Sequence, residues 1–190
     1  MISSFEYVTV LISIVLGLGI TQVLTGIARL IQKRHKLIIY WPHLLWILFV
    51  LFLHVQEWWV MYELKTMMQW RLPVFLFIML YPITLFVMAK LILPNRLRGK
   101  QIDLKKFYYK NFSGFFAVLI FAAMLSVAYN LCILNLKITD QLLQLLLMIG
   151  LSFILYKRYV NEWIHAGVSL AVTLIMCAVI VVEWNTWLLN

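Results

Sequence analysis

The chain has 190 residues, of which 65% are hydrophobic and only 12% are charged. Soluble domains contain about 45–50% apolar residues, so this composition excludes a water-soluble globular protein, and the 12 Phe, 9 Tyr and 8 Trp exclude a disordered chain. The formal net charge of +9 would suit a nucleic-acid-binding protein, but the basic residues lie at the ends of apolar segments. We therefore expect anionic lipid headgroups as their partner, and no nucleic acid.

Six long stretches without charged residues run along the chain, and each predicts a transmembrane helix. About 20 apolar residues cross the roughly 30 Å of hydrocarbon in a bilayer. The fifth stretch is short, but Lys157 can keep its stem in lipid and its ammonium at the interface. The sequence predicts one all-α integral membrane domain over residues 1–190, a bundle of six transmembrane helices joined by short loops. The predicted spans are residues 6–31, 37–62, 72–93, 110–136, 140–157 and 160–186.

The basic residues are distributed unevenly between the two sides of this predicted bundle. Most of them surround the first, third and fifth connections, and only Lys65, Arg71 and Lys137 belong to the other side. Because Lys and Arg in short loops stay in the cytoplasm, we expect cytoplasmic basic loops and extracytoplasmic N- and C-termini. The expected location is the plasma membrane, which in a bacterium is the inner membrane.

Span 1 carries small and polar residues on two opposite faces. Small residues four apart let two helices approach closely, so this helix is predicted to lie between two neighbours. The neighbours belong either to the same chain or to a second copy, in which case the protein self-associates. The first face comprises Thr9, Ser13, Gly17 and Thr21, and the second comprises Gly19, Gln22 and Gly26.

Span 2 has a polar face, on which His43, His54 and Glu57 lie within about 60° of each other around the helix. Two further carboxylates, Glu6 in span 1 and Glu183 in span 6, lie at the same end of their helices as Glu57. If these faces converge, the three carboxylates form a negative mouth that concentrates cations. The alternative is that each carboxylate reaches headgroup water separately.

The third connection is the most basic segment of the chain. Asp103 can cap a short helix, and residues 102–109 are predicted to form an amphipathic helix that lies flat on the membrane surface. The same segment is alternatively a docking surface for a cytoplasmic protein partner. Its basic residues are Arg96, Arg98, Lys100, Lys105, Lys106 and Lys110.

Span 6 presents a polar stripe along its whole length. Polar side chains at membrane depth are costly, so they face the bundle interior, a partner or water, and they are functional candidates. Together with the polar face of span 2, this stripe is the predicted permeation path. The alternative is a set of hydrogen bonds between packed helices. The stripe consists of Glu162, His165, Ser169, Thr173 and Glu183.

The sequence offers little for catalysis or for a cofactor. It contains no GxSxG, HExxH, Walker or Gly-rich dinucleotide motif, so we expect no enzyme, no catalytic residue, no metal and no cofactor. His43 and His165 have a similar predicted depth in the membrane and could in principle bind one haem, but no second pair of histidines supports that interpretation. A haem protein or a membrane-embedded enzyme is therefore the less favoured alternative.

These features lead to a functional hypothesis. Six helices at about 8–10 Å spacing enclose side chains rather than a wide lumen, so a pore would form between subunits. We expect a small homo-oligomeric channel or pore-like protein that conducts protons or small cations. The alternative is a small transporter or membrane subunit that acts with a cytoplasmic partner through the basic loop.

Overall fold

The structure is a computed structural model that describes residues 3–67, 70–94 and 101–182. Within this part of the chain, the α-helices are α1 (Ser4–Gln32), α2 (Trp41–Val60), α3 (Leu72–Ile92), α4 (Leu104–Cys132), α5 (Leu142–Lys157) and α6 (Glu162–Val182). Short 3-10 turns follow α1 and α2 and precede α5, at Arg34–Lys36, Met61–Thr66 and Ile138–Gln141. The two strands are β1 (Leu37–Ile38) and β2 (Ile102–Asp103).

All six helices are long and apolar enough to cross a membrane, when α2 and α5 are taken together with their 3-10 turns. At a rise of 1.5 Å per residue, α1 and α4 are each about 44 Å long, whereas α5 alone is about 24 Å long. The prediction of an all-α bundle with six helices able to span a membrane is confirmed.

Local sequence signals account for the starts of four helices. Ser3 and Glu6 form a capping box before α1: the Ser3 hydroxyl accepts from the Glu6 amide at 3.1 Å, and the Glu6 carboxylate accepts from the Ser3 amide at 2.7 Å. The Asp103 carboxylate accepts a backbone hydrogen bond of 2.9 Å in the first turn of α4. Pro42 and Pro73 occupy the first turns of α2 and α3, where no amide donor is needed.

Residues 102–109 do not form a separate interfacial helix, and that prediction is wrong. The helix α4 starts at Leu104 and continues without interruption to Cys132. Leu104 and Tyr108 are buried inside the bundle. Because the buried face of this segment continues the buried face of the rest of α4, the segment is the first part of that helix.

The start of span 2 also differs from the prediction. Leu37 pairs with Ile102 and Ile38 pairs with Asp103 in a short parallel ladder. The backbone is therefore extended at residue 37, and α2 starts only at Trp41. The ladder joins the connection after α1 to the segment before α4.

The two ends of the bundle differ in charge. One end, here named the basic end, contains the α1–α2, α3–α4 and α5–α6 connections and carries most of the Lys and Arg of the described chain. The other end, named the acidic end, contains the start of α1 and the α2–α3 and α4–α5 connections. The acidic end carries Glu6, Glu57, Glu63 and Asp140, together with three basic residues, Lys65, Arg71 and Lys137.

Five of the helices, α2 to α6, form an open ring. The helix α3 packs on α2 and α4, α4 packs on α5, and α2 packs on α6. In the described part of the chain, α5 and α6 share few contacts with each other. The helix α1 lies outside the ring, against α2 and α3. The helices α2, α3 and α4 therefore pack in sequence without a break, whereas the ring is nearly open between α5 and α6.

Candidate functional site

The ring encloses a cavity of about 500 Å³. Sites for small ligands usually measure about 300–1,000 Å³, so the cavity is large enough for a small organic molecule. Residues of α2 to α6 and of the connections at the acidic end line it, and α1 takes no part. Most of the wall is apolar or aromatic, and includes Phe49, Phe52, Phe77, Leu147, Met148, Ile175, Met176 and Val179.

The cavity reaches the acidic end of the bundle. Glu63, Leu136 and Asp140 belong to the connections at that end, and they form part of the wall. The wall also includes residues of both α5 and α6, although these two helices scarcely touch each other within the described residues. The weakest part of the wall is therefore the gap between α5 and α6.

An aromatic layer closes the cavity toward the basic end. Trp46 lines the cavity, and its ring centroid lies 5.4 Å from those of Phe115 and Phe116. Phe116 packs in turn on Phe112 and on His165, with centroid distances of 5.8 Å. All five side chains are buried, and each aromatic pair adds about 0.5–1.5 kcal/mol beyond the burial of its surface. This layer separates the cavity from the basic end.

The polar part of the cavity wall contains acidic and uncharged side chains. Lys, Arg and His are absent from the wall over the described ranges of the chain. Asn130 Nδ2 donates to Gln141 Oε1 at 2.7 Å, and Gln144 Nε2 donates to the Ala123 carbonyl at 3.0 Å, so side-chain amides tie the α5 segment to α4. The polar residues of the wall are Gln56, Glu57, Glu63, Tyr81, Ser126, Tyr129, Asn130, Asp140, Gln141 and Gln144.

Glu57 places a carboxylate in the helical part of this wall. The residue is half-buried, and none of residues 3–67, 70–94 and 101–182 forms an ion pair or a hydrogen bond with its carboxylate. Tyr81 and Tyr129 lie close enough to interact electrostatically with Glu57. The Tyr129 hydroxyl is buried and also has no hydrogen-bond partner in the same ranges. This corner of the cavity therefore holds a carboxyl group and a phenol hydroxyl that both lack a partner among the described residues.

The middle of the predicted stripe on α6 does not face the cavity. His165 Nε2 donates to the Tyr159 carbonyl at 2.8 Å, because a carbonyl only accepts. In the neutral ring, Nδ1 therefore accepts from the Tyr108 hydroxyl at 2.9 Å. The hydroxyls of Ser169 and Thr173 donate to backbone carbonyls of the preceding turn of α6, at 2.9 and 2.8 Å. These polar groups are thus satisfied by the protein itself.

His43 and His54 of α2 are also bonded inside the bundle. His43 Nε2 lies 2.6 Å from the Ile92 carbonyl of α3, and His54 Nδ1 lies 2.7 Å from the Val50 carbonyl of its own helix. Both nitrogens therefore donate. The side chain of His54 packs on Gly19 of α1, and neither histidine is part of the cavity wall.

The histidine pair considered for haem is separated by a tyrosine ring. The Tyr108 centroid lies 5.8 Å from that of His43 and 5.4 Å from that of His165, so the two histidines do share a level in the bundle. Both nitrogens of His165 are engaged by protein groups, which leaves none for an axial bond. Among the described residues, no group of three His, Cys, Asp or Glu side chains could hold a metal ion.

The three carboxylates predicted at one mouth have different surroundings. Glu57 lines the cavity, whereas Glu6 is exposed in the capping box of α1, outside the ring. Glu183 lies outside the described residues. Glu63 and Asp140, which the prediction did not include, line the cavity with Glu57. Three of the four described carboxylates of this end therefore line the cavity, and Glu6 does not.

One small-residue face of α1 packs against the chain's own helices. Gly19 and Gly26 are buried, and a Cβ atom at these positions would overlap the side chains of His54 and Leu93. Gln22, on the same side, is half-buried. This face therefore mediates the contact of α1 with α2 and with the end of α3.

The other face of α1 is not covered in this way. No atom lies within 4 Å of the position that a Cβ atom would take at Gly17, and Thr21 is exposed. Thr9 and Ser13 are half-buried, and the Thr9 hydroxyl donates to a carbonyl of its own helix at 2.8 Å. This face is available to lipid or to another chain.

The described part of the basic loop lies at the basic end, on the first turns of α4. Lys105, Lys106 and Lys110 are exposed there, and Lys105 forms an ion pair with Glu162 of α6. This pair connects the starts of α4 and α6. The remaining residues of the predicted loop, Arg96, Arg98 and Lys100, lie outside the described residues.

Sequence reasoning did not identify Tyr81, Tyr129 and Gln144 as parts of one site. Each is a polar residue inside an apolar stretch, which is a usable signal, but they belong to three different helices. Their convergence depends on how α3, α4 and α5 pack, and no periodicity within one helix contains that information.

Comparison of the chain with protein-family models, with curated proteins and with solved structures found no match.

Proposed function

We propose that the protein is a small membrane transporter whose cavity binds an amphipathic organic molecule. The observation that carries this proposal is the cavity of about 500 Å³, which reaches the acidic end and is closed toward the basic end by the aromatic layer. Transporters expose a central site to one side of the membrane at a time. A cavity that is open at one end and sealed at the other is the geometry of one such state.

The composition of the wall supports an amphipathic ligand. Binding sites for small molecules combine apolar walls with a few polar groups that fix orientation, and this cavity has both. Met148 and Met176 add side chains that adapt to different ligand shapes. The gap between α5 and α6 gives an apolar part of the ligand a route from the lipid.

The distribution of basic residues supports an orientation for this transporter. We place the basic end in the cytoplasm of a cell bounded by the plasma membrane, because Lys and Arg of short loops are retained there. The cavity then faces the extracytoplasmic side, as do both termini. The exposed lysines at the start of α4 are in this orientation the surface for anionic headgroups or for a cytoplasmic partner.

A homo-oligomeric channel for protons or small cations is the second candidate. It is favoured by the uncovered face of α1 around Gly17, which offers a second copy a surface of small residues. Within a single chain, however, the polar groups at the middle of the α6 stripe are bonded to the protein and the aromatic layer interrupts the ring. A channel pore would therefore form between copies.

A thiol placed in the cavity tests the transporter proposal. Ser126 lines the cavity, whereas Ser169 is buried away from it, so Ser126→Cys and Ser169→Cys form a matched pair. Both are made in a background with Cys132→Ala and Cys177→Ala, since these native thiols are exposed. Thiols react as thiolates, which need water nearby. The reagent is a membrane-impermeant methanethiosulfonate, applied to sealed vesicles of each orientation.

Alternating access predicts that the reagent modifies the Ser126→Cys thiol from both sides of the membrane. The Ser169→Cys thiol is expected to stay unmodified from the side of the acidic end, because the aromatic layer and the α6 helix shield it. Modification of Ser126→Cys from one side alone would indicate a fixed pocket and would contradict transport. Unitary current steps in planar bilayers that contain the wild-type protein would contradict the transporter proposal and would support the channel.

A further inference from the structure

We infer that the molecule bound in the cavity is an organic cation and that Glu57 is its counter-ion. The inference rests on the proposed function, since it names the class of substrate that the transporter would take. It is carried by the charge of the wall, by the surroundings of Glu57 and by the size of the cavity.

The charge of the wall has one sign. Glu57, Glu63 and Asp140 line the cavity, and no Lys, Arg or His does so over the described ranges. A carboxylate inside a membrane bundle is costly unless a charge or hydrogen-bond donors compensate it. Glu57 has neither an ion pair nor a hydrogen bond with a described residue. A positively charged ligand would supply the missing compensation.

The neighbours of Glu57 suit an ammonium or phosphonium centre. Tyr81 and Tyr129 line the same cavity as the Glu57 carboxylate and lie close enough to interact with it electrostatically. Aromatic faces attract cations through their quadrupole, and this attraction grows when water is excluded.

The rest of the wall favours an organic cation over a metal ion. Ca²⁺ takes six to eight oxygen ligands, and Mg²⁺ demands an octahedral set. The described residues provide no group of three acidic, His or Cys side chains that could hold an ion. A cation with apolar substituents fills a cavity of about 500 Å³ and contacts the Leu, Ile, Met and Val side chains of α5 and α6.

A pair of probes with the same shape and opposite charge tests the inference. Tetraphenylphosphonium and tetraphenylborate are compared for their ability to slow modification of the Ser126→Cys thiol, in the background without native cysteines. The protein is purified in a nonionic detergent, and the reagent is methyl methanethiosulfonate, which is uncharged. The phosphonium is expected to protect the thiol in a saturable manner, and the borate is expected to leave the rate unchanged at the same concentration.

Variants of the carboxylate identify the counter-ion. Glu57→Gln is expected to raise the concentration of phosphonium needed for half protection by at least about tenfold. Glu57→Asp keeps the charge and is expected to keep the preference for the phosphonium. Glu6→Gln is the matched control, because it removes the same charge at the same end, outside the cavity, and keeps the capping box.

The outcomes separate this inference from the transporter proposal. Equal protection by both probes, or protection that Glu57→Gln leaves unchanged, would overturn the inference. Modification of the Ser126→Cys thiol from both membrane sides would in that case still support a transporter of uncharged molecules. A Ser126→Cys thiol that the small neutral reagent never modifies would overturn both proposals, since the cavity would then hold no water and admit no ligand.

Discussion

Glycine-to-alanine substitutions at two positions of α1 are expected to have opposite effects on stability. Gly19 is buried against His54 of α2, and a Cβ atom at this position would overlap the imidazole ring. At Gly17, two residues earlier in the same helix, no atom lies within 4 Å of the Cβ position. The pair therefore separates the effect of helix packing from that of helix propensity.

The size of each effect follows from these surroundings. Alanine is about 0.8–1.0 kcal/mol more favourable than glycine inside a helix, so Gly17→Ala is expected to raise the free energy of unfolding by up to about that amount. Gly19→Ala gains the same helix propensity, but the added volume in a packed core costs about 1–3 kcal/mol. His54 has little freedom to move away, because it is fully buried and its Nδ1 donates to the Val50 carbonyl at 2.7 Å. The expected net loss for Gly19→Ala is up to about 2 kcal/mol.

Thermal unfolding of the purified protein in a nonionic detergent measures this difference through the helical circular dichroism signal. The Tm is expected to fall by a few degrees in Gly19→Ala and to stay level or rise in Gly17→Ala. In a His54→Ala background, which removes the overlap, Gly19→Ala is expected to lower the Tm less than it does in the wild-type protein. Equal Tm values for the two single variants would refute the close contact between α1 and α2. A lower Tm in Gly17→Ala would place another helix on that face, as the oligomeric channel requires.

Three further predictions use the same unfolding assay. Tyr108→Phe leaves Nδ1 of the buried His165 without its donor and is expected to cost about 1–3 kcal/mol; an unchanged Tm would show that this bond does not form. Asp103→Ala removes the cap of α4 and is expected to cost about 0.5–2 kcal/mol, whereas Asp103→Asn, which can still accept the bond, is expected to cost less. Glu162→Gln breaks the ion pair with Lys105, but both side chains are about half exposed, so the fall in Tm is expected to be small and to shrink further in high salt.

The number and type of the helices could be predicted because they depend on local properties. Each span is a long apolar run between charged residues, and the hydrocarbon thickness sets the length that such a run needs. The positions of the charged residues, in contrast, did not predict where α4 starts. Lys105, Lys106 and Lys110 are exposed on one side of the helix, while Tyr108, on another side, is buried. A charged residue at such a position does not end the span.

The candidate site was less accessible to sequence reasoning, because helical phase shows which residues share a face but not what that face meets. His165 and Ser169 are both buried, as a shared inward face requires, yet they bond to protein groups rather than to water. Glu57 was identified as a candidate because it lies on the polar face of span 2, near the end of that helix. The cavity itself results from the packing of five helices, α2 to α6, and Tyr81, Tyr129 and Glu57 come from three of them.

The helix α5 is the element of the ring that is held least firmly. Its 16 residues extend about 24 Å, less than the roughly 30 Å of hydrocarbon, and only Leu151 and Ile154 of the helix are buried. Its described contacts lie mainly with α4, partly through the amides of Gln141 and Gln144, and scarcely with α6. A displacement of α5 therefore breaks few apolar contacts, and regions with few such contacts are the first to open. Because α5 forms one side of both the gap and the cavity wall, its movement would change access to the cavity while the core of α1, α2 and α3 stays intact.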